Sequence, residues 1–256
     1  MLSSELLNHY RCLSQQTFTV VDVETTGRYS WESRITELSV LQATLADGVI
    51  RQQTDLVNTG TKIPFKIVQF TGISQQMVDE AAPAEQVFPT YLPLLQTGVL
   101  TAHNLEFDYP FLQAEFARLG TKFVRSEADQ LCTVKLSRLL LPDLPSRSLP
   151  DLVRHFQFPV GKAHRAEADT LACWLLVERL FTELLNEADE VLLARFRRQW
   201  IPLRQAAEIL GLPPAAARSH CEAAGLASRF AGKNRNGTWM YRRGEVEQIA
   251  AADVAT

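Results

Sequence analysis

The segment Thr17 to Gly27, TFTVVDVETTG, constrains this chain more than any other. It opens as a β-branched apolar run of the kind that forms a buried strand, then places two carboxylates, Asp22 and Glu24, at i and i+2. Period two puts both on one face of a strand. A carboxylate pair emerging from an apolar strand is costly to leave unpartnered, and a divalent cation satisfies it. The competing reading ends the strand at Asp22 and turns both acids into solvent. From this segment alone both readings stay open.

The pattern that follows is α/β. Arg34 to Leu45 and Val49 to Val57 flank Asp47-Gly48, a strong hairpin signal, so three antiparallel strands are expected at the start. Pro89 to Gln96 reads as a helix, Val99 to Ala102 as a short strand, and Tyr109 to Leu119 as a helix with Pro110 at its first position and Gly120 beyond its end. Leu131 to Leu141 and Leu149 to Phe156 continue the helical pattern, and Arg165 to Leu185 reads as one long helix with apolar residues three and four apart. Strands first, then a strand among helices, make a layered α/β architecture.

Two further acidic segments matter. Leu100 to Asp108 (LTAHNLEFD) is a short apolar strand followed by polar residues and an acid ahead of Pro110. His164 to Asp169 (HRAEAD) opens the long helix. Taken singly, Asp108 is an ordinary first-turn acid and His164 an ordinary packing residue. Taken together with Asp22 and Glu24, four acids at strand ends and helix starts can converge, and hard divalent ions want several oxygen ligands. In this order and spacing the three segments resemble the three motifs of the DEDDh family of 3′-5′ exonucleases, most closely the epsilon proofreading subunit of bacterial DNA polymerase III and its relatives. His164 and Asp169 meet that family's H-x-x-x-x-D spacing. The resemblance covers roughly residues 17 to 185.

The resemblance implies a ribonuclease H-like fold, a mixed five-stranded sheet with helices on both faces, occupying residues 1–190. It implies two Mg²⁺ or Mn²⁺ ions held by Asp22, Glu24, Asp108 and Asp169, with His164 as general base, and release of nucleoside 5′-monophosphates from DNA 3′ ends. One ion would lower the pKa of a bound water and the other would stabilise the departing 3′ oxygen. Thr25 and Thr26 look like residues that hold the terminal nucleotide. Phe70, Thr71, Ile73 and Phe107 look like surfaces for the 3′ bases, with plain core packing as the alternative for Phe70, Ile73 and Phe107. His103 and Asn104 match a His-Asn pair that organises the active-site loop. An exoribonuclease or short-oligonucleotide hydrolase shares these motifs, and a nucleic-acid-binding scaffold with an inactive nuclease domain is the rival from another class.

Charge divides the chain. Residues 1–194 hold 16 Lys+Arg against 24 Asp+Glu, whereas 195–244 hold 10 against 2, within a formal net charge of -3. A basic segment of this kind points to a polyanion. Residues 200–256 read as helix (Pro202 to Leu210), turn, helix (Ala215 to Ala224) and a hairpin about Asn236-Gly237, and resemble excisionase and MerR-type winged helix-turn-helix units. Lys233, Arg235, Arg242 and Arg243 would then contact phosphates. Docking to a protein or to the acidic part of the chain is the alternative.

No run approaches the ~20 apolar residues that cross a bilayer, and no secretory leader is evident at the N-terminus. The four cysteines show no zinc-ligand spacing, which suits reduced thiols in a cytoplasmic protein. The expected partners are single-stranded or frayed 3′ ends and, by resemblance, a DNA polymerase. The motifs are silent on oligomeric state.

Overall fold

The computed structural model describes residues 1–161, 164–232 and 237–254. The elements are α1 (Ser3–Leu13), β1 (Phe18–Thr25), β2 (Ile35–Thr44), β3 (Gly48–Leu56), α2 (Phe65–Thr71), α3 (Gln75–Asp79), α4 (Ala84–Leu95), β4 (Val99–Ala102), α5 (Leu105–Arg118), β5 (Gln130–Cys132), α6 (Thr133–Leu140), α7 (Leu149–Phe156), α8 (Ala166–Asn186), α9 (Asp189–Arg197), β6 (Trp200–Pro202), α10 (Leu203–Leu210), α11 (Pro214–Ala223), β7 (Ser228–Ala231), β8 (Thr238–Arg242) and α12 (Arg243–Val254). The chain divides into two compact units. One comprises Leu13–Ser137 and Leu144–Thr182, the other Met1–Cys12, Arg138–Asp143 and Glu183–Thr256.

The first unit is built on a five-stranded sheet of order β3-β2-β1-β4-β5. β2 pairs antiparallel with β1 and β3, while β4 pairs parallel with β1 and β5, so the sheet is mixed as the resemblance implies. Thr44 pairs with Gly48 across a loop of three residues, one longer than the dipeptide Asp47-Gly48 suggests. Gly48 has φ 71°, the left-handed position that glycine fills at this turn. The Thr44 hydroxyl donates to Asp47 and accepts its backbone N–H, closing the turn.

Alternation along β1 decides the layout. Val21 and Val23 face a core shared with Leu100 and Ala102 of β4, Phe88 and Tyr91 of α4, and Phe111 and Phe116 of α5. Phe18 points to the opposite face, with its ring 5.9 Å from Trp174 and 5.2 Å from Phe181 of α8. Both faces of the sheet are therefore covered by helices. Asp22 and Glu24 share the period of Phe18 and so point toward the α8 side.

Several boundaries differ from expectation. β1 runs through Glu24 to Thr25, which overturns the reading in which the strand stops at Asp22. α4 begins at Ala84, five residues before Pro89, and carries Pro89 and Pro93 inside it on a face that does not interrupt the buried stripe of Val87, Phe88, Tyr91, Leu94 and Leu95. α5 begins at Leu105, because Asn104 takes a left-handed turn at φ 85° and its carbonyl accepts from Phe107 N–H. Pro110 then costs only one helical hydrogen bond near the N-terminus. Leu131 and Cys132, expected as the start of a helix, instead belong to the parallel edge strand β5, too short to show period two.

In the second unit β6, β8 and β7 form an antiparallel sheet in that order. The helix, turn and helix expected at the C-terminal end are α10 and α11, joined through Gly211 at φ 65°. β6 and α12 were not anticipated. Ile201, Tyr241, Cys221 and Val246 form this unit's core. Among the described residues, no helix is long and apolar enough to cross a membrane.

Candidate active site

The end of β1 brings the predicted acids together. Asp22, Glu24 and Asp169 each offer an oxygen, and these oxygens lie within 4.8 Å of one another. Asp169 arrives from the first turn of α8, and the placement of that turn has a specific cause. Glu37 of β2 is the cross-strand partner of Glu24. Although 1% exposed, it accepts from Arg165 Nε at 3.1 Å and from the backbone N–H of Ala166 at 2.8 Å. This charge-assisted pair holds the start of α8 against the sheet. Asp169 in turn accepts the His164 backbone N–H at 2.9 Å, which fixes the residue that precedes the helix. His164 itself sits at φ 64°.

Asp108 occupies the first turn of α5 and is 3% exposed. The backbone N–H groups of Val23 and of Asp108 itself act on its carboxyl and favour its ionised form. It does not join the three-oxygen group but acts on it electrostatically, raising the pKa of Asp22.

Burial and mutual repulsion raise the pKa values of these acids. Burial, reinforced by Asp108, Asp169, Glu24 and Glu37, pushes the Asp22 carboxyl well above the usual carboxylate range. Burial pushes Glu24 up to about 8, with Asp169 and Glu37 adding to the rise and Arg165 opposing it. Burial likewise pushes Asp108 up to about 8, against the opposing effect of its two backbone N–H donors. Asp169 is raised chiefly by burial, with the His164 N–H opposing. The guanidinium of Arg165 is spent on Glu37. An all-oxygen donor set of this charge suits hard divalent ions.

The other predicted residues fall into three groups. Phe70 is 57% exposed and its ring centroid lies 3.9 Å from that of His164, so it borders the cluster. Thr25 and Thr26 border it through the chain, yet both are buried and their hydroxyls are engaged. Thr25 donates to the Gly27 carbonyl at 2.6 Å, and Thr26 accepts from Arg34 N–H at 3.0 Å.

Thr71 and Ile73, expected at a surface for the 3′ bases, are buried, and Phe107 is half-buried against the core, the packing that was the alternative for Ile73 and Phe107. Ile73 is fully buried with Ile63 and Val78. The Thr71 hydroxyl donates to the Ile67 carbonyl and accepts from Ile73 N–H, capping α2. Phe107 packs on the α5 core with its ring 4.9 Å from Phe111. His103, its pKa lowered to about 4 by burial, is neutral; Nε2–H donates to the Arg147 carbonyl and Nδ1 accepts from the Thr133 hydroxyl. These two bonds tie the residue after β4 to Thr133 and Arg147. Asn104 contributes its left-handed backbone, and its side chain is exposed.

The last group is the basic one. Arg243, expected to meet phosphates, is 6% exposed; it donates to Gln199 and to the Met1 carbonyl, and so serves the interior of its unit. Arg242 is half-buried, its guanidinium 4.4 Å from the Trp200 ring and donating to the Arg198 carbonyl. Lys233 and Arg235 lie outside the described residues.

Glu37 and Arg165 were not anticipated as site residues. The available signal was an acid in the middle of ITELSV, a strand whose sheet is covered on both faces and therefore has no solvent side for it.

Residues 19–177 match the family described as Exonuclease (RNase_T). The 3′-5′ exonuclease DinG of Bacillus subtilis (strain 168) is 32% identical over 176 residues, which is 68% of this chain and 18% of that protein. The DNA polymerase III subunit epsilon of Aquifex aeolicus (strain VF5) is 30% identical over 172 residues, 67% of this chain and 81% of that one. The fold also resembles that of E. coli exonuclease I, solved in complex with a dA16 oligonucleotide. The TM-score is 0.57 at 18% identity, covering 72% of this chain and 44% of that one. With its carboxylates gathered where β1 meets α8, the chain belongs to this exonuclease family.

Proposed function

We propose that this chain is a metal-dependent 3′-5′ exonuclease acting on DNA. The observation that carries the reading is the convergence of Asp22, Glu24 and Asp169 with Asp108 behind them, at raised pKa and with Arg165 already committed to Glu37. These four carboxylates would hold two Mg²⁺ or Mn²⁺ ions, which supply charge stabilisation and a nucleophile of lowered pKa.

The chain's own residues do the rest. Asp169 holds the backbone of His164, and His164 acts on Asp169 electrostatically, which supports an imidazole at the edge of the cluster. There it accepts the proton of the attacking water as general base. The water oxygen bonds to phosphorus, the bond from phosphorus to the 3′ oxygen breaks, and its electron pair leaves with that oxygen. A nucleoside 5′-monophosphate and a shortened strand result. Phe70, against the His164 ring, offers a face to the terminal base. Thr25 and Thr26 shape the backbone beside that nucleotide.

Residues 200–256 form the second part of the proposal, a winged helix-turn-helix-like module that holds strands by their phosphates. Its support is the Trp200 ring, which has the guanidiniums of Arg229 and Arg242 each 4.4 Å away. The similarity to a subunit named for DNA polymerase III extends the reading to a polymerase partner.

The test is incubation of end-labelled single-stranded DNA, mismatched duplex DNA and RNA with the chain and Mn²⁺, with and without EDTA. Mononucleotides from the DNA strands, suppressed by EDTA and by Asp22→Ala, are the expected result. Preferential loss of the RNA would reassign the substrate, and intact strands throughout would refute the reading.

A further inference from the structure

Two residues that no motif singled out stand in the loop directly after the site strand. Trp31 is 73% exposed and Tyr29 44% exposed, and their rings stack at 4.5 Å with an interplanar angle of 19°. The Arg28 guanidinium lies 5.8 Å from the Tyr29 ring centroid.

The loop that displays them is fixed. Its ends are joined by Thr26 N–H to the Arg34 carbonyl at 2.9 Å and Arg34 N–H to Thr26 Oγ1 at 3.0 Å. Inside it, Ser33 N–H donates to the Tyr29 carbonyl, and Arg118 donates to the Ser30 carbonyl at 2.7 Å. Arg118 and Arg34 both pair with Glu115, which is buried to 1% exposure. Gly27 completes the clamp, because a Cβ there would come within 2.5 Å of Ser33 Oγ. The aromatic pair is therefore held out on a braced loop, pre-formed for a flat partner.

Position and charge identify that partner. Five Cα-to-Cα steps link Glu24 to Tyr29, so their Cα atoms are at most about 18 Å apart. A polynucleotide with its last phosphodiester at the carboxylates thus has unpaired bases within reach of the rings. Aromatic side chains bind such bases through their π-faces without regard to sequence, and an adjacent guanidinium suits the backbone. We propose that the Tyr29–Trp31 stack is a platform for unpaired nucleobases upstream of the 3′ end. This inference rests on the exonuclease reading of the neighbouring cluster.

The test reads binding, not turnover. The full chain in EDTA is titrated into a fluorescent single-stranded oligonucleotide and into the same strand made abasic at its upstream positions, followed by anisotropy. Wild type should bind the base-bearing strand about tenfold or more tightly than the abasic one. Tyr29→Ala/Trp31→Ala should abolish that preference, and Trp31→Phe, which keeps a stacking face and tests whether the loop folds, should retain most of it. A preference that survives in the double alanine variant, or none in wild type, overturns the platform. Failure of Mn²⁺-dependent hydrolysis overturns the exonuclease reading instead, and the two results are separable because this titration needs no catalysis.

Discussion

Two groups of buried acids lie within one unit and are treated in opposite ways. Glu115, 1% exposed, meets Arg34 and Arg118 and also accepts the Ile35 backbone N–H at 3.1 Å. Asp22, Glu24 and Asp169 meet one another, Asp108 acts on Asp22 electrostatically, and the Arg165 guanidinium is directed to Glu37. The first arrangement is finished by the chain itself and serves to hold a loop. The second is left unfinished by the chain: its acids act on one another, which shows as raised pKa values. A buried acid is thus informative about function only once its partners are known.

The largest way to break this comparison is to delete an acid from the unfinished group. Asp22→Ala should bring Mn²⁺-dependent release of mononucleotides down to background, whereas Glu115→Ala, assayed below its unfolding temperature, should retain turnover. His164→Ala comes next. It should keep the thermal shift induced by Mn²⁺ and lose about 10²- to 10⁴-fold in turnover, the usual contribution of a general base. A steady-state assay beside a melting curve separates the two effects.

Stability sharpens the contrast. Glu115→Ala leaves two guanidiniums without their carboxylate and should cost about 3 kcal/mol in chemical denaturation, somewhat less than a fully buried pair because both arginines are partly exposed. Asp22→Asn should do the reverse in EDTA, stabilising the chain by on the order of 1 kcal/mol at pH 8, because the neutral amide need not take up a proton on folding as the raised Asp22 carboxyl must.

A further contrast is in pH. Glu24 and Asp108 hold their protons up to about 8 in the folded chain, against ordinary values of 4.5 and 3.8. Between those limits the folded state binds more protons than the unfolded state, so stability in EDTA should fall as pH rises from about 5 to about 8. The stabilisation by Mn²⁺ should grow over the same interval. Melting curves with EDTA and with Mn²⁺ at each pH read both trends, and a flat EDTA curve would remove the basis for calling the cluster unfinished.

How much of this was legible in the sequence depends on how local the signal was. Asp22 and Glu24 were placed by strand period, and His164 and Asp169 by spacing at a helix start, since each lies within one element. The antiparallel order of β1, β2 and β3 followed from one turn. The role of Glu37 was hidden, because alternation places an acid on a strand face but cannot say that the face is covered by α8. β5 was lost in a helical pattern because three residues show no period. Arg243 was read as a surface cation because it stands in a basic run, yet its side chain is buried among Gln199, Met1 and Glu247. The Tyr29–Trp31 stack escaped because two aromatics in a loop carry no signature until their exposure and bracing are seen.

The central claim is that the carboxylate cluster is completed by divalent cations that displace its protons. Calorimetric titration of Mn²⁺ into the EDTA-stripped chain at pH 7, in two buffers of different ionisation enthalpy, measures those protons directly. The account predicts saturable binding that releases about one proton or more, a release that fades above pH 8 and is reduced with Asp22→Asn. Absence of binding, or binding with no proton release at pH 7, would contradict it.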